Sequence, residues 1–93
     1  MFEHFKARQG QHYVLCLDGG AELQTLLLEV CALKKPALDE RTPFSLLFKG
    51  PAAPLLPQRT YRLRQVADNE SLDMFMVPVS ADATGVHYEA VFS

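Results

Sequence analysis

Along most of this chain, apolar residues recur at every second position in short runs closed by glycine or proline. Tyr13, Leu15 and Leu17 form one such run; Phe44, Leu46 and Phe48 another; Tyr61 and Leu63 a third; and Val86, Tyr88, Ala90 and Phe92 the last. A β-strand sends successive side chains to opposite faces, so each run builds one face for a core and one for solvent. The segments Asp18-Gly19-Gly20, Gly50-Pro51, Ala67-Asp68-Asn69-Glu70 and Asp82-Ala83-Thr84-Gly85 supply the turns, because glycine reaches left-handed backbone freely and Asp or Asn bonds to its own turn. Short strands separated by frequent turns read as an all-β sandwich or barrel. The pattern therefore predicts a mainly β fold for residues 1–93 as one domain. It would be an antiparallel barrel or sandwich of about six strands with a short N-terminal helical turn.

Three segments need a closer reading. Phe2 and Phe5 lie three apart, so a helical turn over Phe2–Arg8 sets both on one side as a hydrophobic plug before Gln9-Gly10 ends it. Residues 22–34 fit two patterns. Leu23, Leu26, Leu27 and Val30 match a helical period, whereas strand alternation puts Leu26, Leu28 and Val30 on one face and Leu23 and Leu27 on the other. The tight turn at Asp18-Gly19-Gly20 favours an antiparallel return, so a strand with a bulge near Leu26-Leu27 is expected; a helix here would make the fold α+β. Leu72–Val79 is apolar on both faces except at Asp73, which suggests a strand buried on both sides, with Pro78 at its end or at a bulge. A polar loop is expected from Lys34 to Pro43. Pro51, Pro54 and Pro57 hold the segment between them to an extended loop, with Leu55 and Leu56 touching the body.

Composition removes several functions. Hydrophobic residues make up 48% of the 93 and charged residues 22%, so a packed core is affordable and disorder is not expected. Nine Lys+Arg stand against eleven Asp+Glu, leaving no cationic excess for phosphates, so no nucleic-acid partner is expected. No apolar run approaches the roughly 18–20 residues of a membrane helix, and charges at Glu3 and Lys6 sit where a signal peptide is apolar. A cytoplasmic protein with no membrane partner is the expectation. The two cysteines, Cys16 and Cys31, stand among leucines and valines and read as small buried apolar residues. A disulfide between them is conceivable if their strands pair, and no CxxC spacing is present.

Candidate chemistry is sparse. His4, His12 and His87 have no metal-ligand spacing. Cys16 with His12 or His87 is the one covalent-catalysis pairing available, and its setting between Leu15 and Leu17 argues for burial rather than reactivity. The serines at 45, 71, 80 and 93 lack a nucleophile elbow, and Gly19-Gly20 is a hairpin turn rather than a phosphate cradle. Glu22, Glu29, Asp73 and Glu89 read as surface carboxylates on sheet faces. Arg62 and Arg64 share one face, with cross-strand ion pairs to Asp73 or Glu89 expected, and Lys49 joins them if the third and fourth strands pair. No catalytic residue, cofactor or metal is expected.

The runs Phe44–Pro51, Leu56–Leu63, Met74–Val79 and Gly85–Phe92, with Phe2-Glu3-His4-Phe5 at the start, resemble a family of small bacterial proteins of unknown function. The resemblance covers nearly the whole chain and departs at Arg59, where a glycine is expected after Pro57-Gln58. It implies an accessory role beside phage-tail-collar-like proteins and names no activity. The resulting expectation is a non-enzymatic accessory or protein-interaction domain that binds a protein partner or itself. Pro51, Pro54, Leu55, Leu56, Pro57, Arg62 and Arg64 are the candidate partner-binding residues. The alternative is a small-ligand-binding β-barrel, with or without weak hydrolytic activity, which would show an apolar cavity of roughly 300 Å³ or more.

Overall fold

The computed structural model describes residues 2–33 and 43–92. Its elements are α1 (Phe2–Lys6), β1 (His12–Cys16), a 3-10 turn (Asp18–Gly20), β2 (Glu22–Ala32), β3 (Phe44–Gly50), β4 (Arg59–Gln65), β5 (Ser71–Asp82) and β6 (Gly85–Phe92). The six strands close into an antiparallel barrel in the order β1-β2-β3-β6-β5-β4, with β4 returning to β1. Residues 22–32 are strand, as the glycine turn before them requires: Gly19 and Gly20 take φ of 76° and 84°. The polar loop expected between Lys34 and Pro43 falls outside the described residues apart from Pro43.

Two long strands turn the corners of the barrel. Glu22–Leu26 of β2 pairs with β1 and Leu26–Ala32 with β3. Ser71–Met76 of β5 pairs with β4 and Val77–Asp82 with β6. Each long strand carries a bulge, one between Leu27 and Glu29 and one between Pro78 and Ser80. An extra residue shifts the alternation and bends the strand. The β2 bulge therefore sits at Leu28, one residue later than expected, and brings Leu27 and Val30 to the interior together while Leu26 and Leu28 face outward. Pro78 sits at the other bulge, where its missing N–H interrupts no regular ladder.

The interior is filled by the alternating residues. Leu15, Leu27, Leu46, Phe48, Leu63, Met76, Val86 and Tyr88 are fully buried, and each buried aliphatic or aromatic side chain stabilises the fold by about 1.5–3 kcal/mol. Thr25 and Gln65 are the buried polar residues among those described, and the Thr25 hydroxyl donates to the Tyr13 carbonyl at 3.0 Å. Because β3 and β4 stand on opposite sides of the ring, the connection from Pro51 to Gln58 must cross one mouth of the barrel. Leu56 drops into that mouth and donates its backbone N–H to the Tyr88 hydroxyl at 3.1 Å. At the opposite mouth α1 inserts Phe5, whose ring lies 5.8 Å from that of Phe44 and 5.6 Å from that of Phe92. The expected aromatic plug is thus a lid, matched by a proline-rich lid at the far end.

Three expectations are corrected by the closed wall. Leu72–Val79 is not buried on both faces: Phe75 and Val79 are 53% and 51% exposed, because a barrel strand has only one inner side. Cys16 is half-buried on the outer wall and Cys31 is exposed, both as free thiols. Neighbours in a strand sequence face opposite ways, so Leu15 and Leu17 do not surround Cys16. The register places Cys16 opposite Glu22, far along β2 from Cys31, so no disulfide joins them. Lys49 does not join Arg62 and Arg64, since β3 and β4 are not adjacent.

Candidate functional site

The candidate partner residues do not form one surface. Pro51, Pro54 and Pro57 are exposed on the lid, Leu55 is 61% exposed, and Leu56 is committed to the core. Arg62 and Arg64 lie on the outer wall of β4, away from that mouth. Arg62 Nε donates to Asp73 at 3.0 Å, the expected cross-strand pair, while Arg64 donates to Glu22 at 3.0 Å and to Asn69. Glu29 and Glu89 flank Leu47 across β2, β3 and β6.

The histidines are dispersed. His4 is on α1, His12 begins β1 and His87 is on the outer wall of β6. His12 Nδ1 lies 3.3 Å from the Thr25 carbonyl, an acceptor, so that nitrogen carries the proton. Ser80 Oγ and His87 Nδ1 are 2.8 Å apart across the β5 bulge. This pair lies on the open wall, with no carboxylate bonded to the imidazole and no donor pair arranged beside it among the described residues. Among the described residues no three His, Cys, Asp or Glu side chains gather as metal ligands.

One concave feature among the described residues is at the α1 mouth. Short α1 ends after Lys6, and Arg8 then ties it to the turn between β4 and β5. Its guanidinium donates to the His4 carbonyl at 2.8 Å, to Gln65 Oε1 at 3.1 Å and to Asp68 at 2.9 Å. The Gln65 amide in turn donates to Gln11 Oε1. Asp68 also accepts the Glu70 N–H at 3.0 Å. That backbone bond first, and the Arg8 bond second, hold its carboxyl below the usual carboxylate range. His4 Nε2 lies 3.7 Å from Glu70 Oε2. Beneath this rim is a half-open cleft of about 390 Å³ lined by His4, Phe5, Tyr13, Leu63, Gln65, Glu70, Ser71 and Leu72. Tyr13 is 3% exposed. Its hydroxyl makes no hydrogen bond among the described residues, and since none of them leaves a buried polar side-chain atom without a partner, the hydroxyl reaches solvent through the cleft. Burial pushes its phenol pKa up, with Arg8 opposing and Asp68 and Glu70 adding to the shift.

Beside the cleft the closed barrel has a gap in its strand pairing. Pairing between β5 and β6 ends at Val77 and Glu89. Ser71–Met76 is paired with β4 and Ala90–Phe92 with β3, so each has one side without a strand neighbour among the described residues. Phe75 and Val91, 53% and 59% exposed, stand on the two banks of this seam. Sequence reasoning placed Tyr13 on an inner strand face but did not mark it as a site residue. The available signal was Gln65, a polar side chain in phase with inward Tyr61 and Leu63, which alternation places at the core side of β4.

A family model described as Domain of unknown function (DUF6916) matches residues 1–92. No curated protein and no solved structure matches the chain.

Proposed function

Because the chain belongs to the DUF6916 family, a domain family of unknown function, its role has to be argued from geometry, and we propose a non-enzymatic domain that takes up an extended segment of a partner protein along the β5–β6 seam. The observation that carries this reading is a difference among the free strand edges. The second half of β2 is guarded by the linker after α1: Gly10 N–H donates to the Leu27 carbonyl at 2.7 Å, Leu27 N–H to the Gln11 carbonyl at 2.9 Å, and Val30 N–H to Gln9 Oε1 at 3.2 Å. The second half of β5 carries Pro78 and a bulge. Both devices block edge pairing. At the seam, Ala90–Phe92 has neither charge nor proline, and the one charge on Ser71–Met76, Asp73, is held by Arg62. An unguarded edge is a template for a further strand, whose main-chain bonds give affinity and whose alternate side chains give specificity. Phe75 and Val91 offer such a strand apolar contacts on both banks.

The family resemblance supports a bacterial setting and makes phage-tail-collar-like proteins the first partners to test, while the charges at Glu3 and Lys6 support a cytoplasmic one. The experiment is a peptide array followed by a proline scan of the best binders. A strand-adding ligand loses binding when proline replaces alternate residues and tolerates it between them, and Phe75→Asp or Val91→Asp weakens binding at unchanged melting temperature. Binders indifferent to proline position, or to both substitutions, would rule the seam out.

A further inference from the structure

We propose that the cleft at the α1 mouth binds a small neutral molecule made of an apolar ring and one hydrogen-bond-accepting oxygen, with Tyr13 as the residue that holds the oxygen. The inference does not rest on the seam: it concerns a different surface and stands or falls with its own ligand.

Three observations converge on it. The first is size, since about 390 Å³ falls within the range of small-molecule pockets, roughly 300–1,000 Å³. The second is lining: Phe5, Leu63 and Leu72 supply apolar walls that would hold a ring. The third is the Tyr13 hydroxyl. A buried phenol normally finds a hydrogen-bond partner. Here the residue is 3% exposed, and the hydroxyl, which has no partner among the described residues, keeps its access to solvent only through the cleft that the residue lines. Gln65 is already engaged there, its oxygen accepting from Arg8 and one of its two amide hydrogens donating to Gln11.

Charge decides what kind of oxygen fits. The groups around the cleft are the permanent cation Arg8, the carboxylates Asp68 and Glu70, and His4 beside Glu70. Asp68 is bonded to Arg8, whose charge also reaches Glu70, and Glu70 has His4 at 3.7 Å. Arg8 is the strongest charge felt at Tyr13, but its guanidinium is engaged by Asp68, Gln65 and the His4 carbonyl, so a carboxylate ligand would have to compete with Asp68 for it while meeting Glu70, which is costly. A neutral carbonyl, amide or hydroxyl oxygen meets the donor it needs and no opposing charge. Burial keeps Tyr13 protonated, so it donates.

The test uses three probes of similar shape on the full chain, read by amide and methyl NMR shifts: acetophenone, benzoate and ethylbenzene. Acetophenone should bind most tightly and shift Leu63, Leu72 and Tyr13 resonances. Tyr13→Phe should weaken it by about five- to tenfold, the value of one hydrogen bond, and reduce its advantage over ethylbenzene. Leu72→Trp, which fills the cleft, should abolish the shifts, with thermal melting checking that the variant is folded. The wild-type probes give an answer even if that variant fails to fold. Benzoate or ethylbenzene binding as tightly as acetophenone, an unchanged affinity in Tyr13→Phe, or no shift at these residues with any probe would overturn the proposal.

Discussion

Replacing Phe5 by alanine removes the lid from one mouth of the barrel, and the structure sets the size of the effect. The ring is 1% exposed and lies within 6 Å, centroid to centroid, of three others: 5.8 Å from Phe44, 5.6 Å from Phe92 and 5.1 Å from His4. Phe-to-Ala changes in cores cost about 3–5 kcal/mol, the spread reflecting how much cavity remains. Phe5 borders the half-open cleft, so the space it leaves is continuous with solvent and water fills it. That places the cost near the lower end, at about 3 kcal/mol. At roughly 4–8 °C per kcal/mol for a domain of this size, the melting temperature should fall by about 12–24 °C. The assay is far-UV circular dichroism, by heat and by urea, with the urea slope compared between the two proteins. An unchanged slope with a lower midpoint means the same barrel, less stable. A loss under about 1 kcal/mol would refute the reasoning, because the lid would then be an ornament on a barrel stable without it.

Three further predictions follow from single contacts. Tyr88→Phe leaves the Leu56 N–H without its acceptor at the other mouth and should cost about 1–3 kcal/mol, measured by urea unfolding. Gly85→Ala should destabilise by about 1–3 kcal/mol in the same assay, because a Cβ there would stand 2.6 Å from the Gly50 carbonyl oxygen and backbone would have to shift. Stability should fall in acid: the Asp82 carboxyl is held low first by the Thr84 hydroxyl and Asp68 by the Glu70 N–H. Their contribution is complete above the unfolded value near 3.9 and is lost as pH falls through their lower folded values. An Asp68→Asn, Asp82→Asn variant should show a flatter decline in urea midpoint between about pH 4 and 2.

Local structure was legible where one rule decided it. The phase of β1, β3, β4 and β6 followed from Tyr13, Leu15, Phe44, Leu46, Phe48, Tyr61, Leu63, Val86, Tyr88 and Ala90, all of which face the core. The two glycines after Asp18 set the strand character of residues 22–32 against their leucine-rich, helix-prone composition. What alternation cannot give is the neighbour across the sheet. Lys49 joins Arg62 and Arg64 only if the third and fourth strands pair, and closure puts those strands on opposite sides. Phe75 and Val79 look like core in a run of apolar residues, and only the single inner side of a barrel wall exposes them. The candidate site was least visible. The seam depends on where β5 changes partners, and the cleft depends on α1 folding over Tyr13, both outcomes of long-range packing rather than of any local motif.

Within the closed barrel, strand pairing has a gap between Ser71–Met76 and Ala90–Phe92. Residue-resolved amide hydrogen exchange measures this directly. In the free protein, amides of Ser71–Met76 should alternate between protected residues bonded to β4 and fast-exchanging ones facing the seam, while Val77–Asp82 alternates in the opposite sense, protected toward β6. Uniform protection of every amide from Ser71 to Met76 and from Ala90 to Phe92 would mean that the seam is closed and that no strand can be added there.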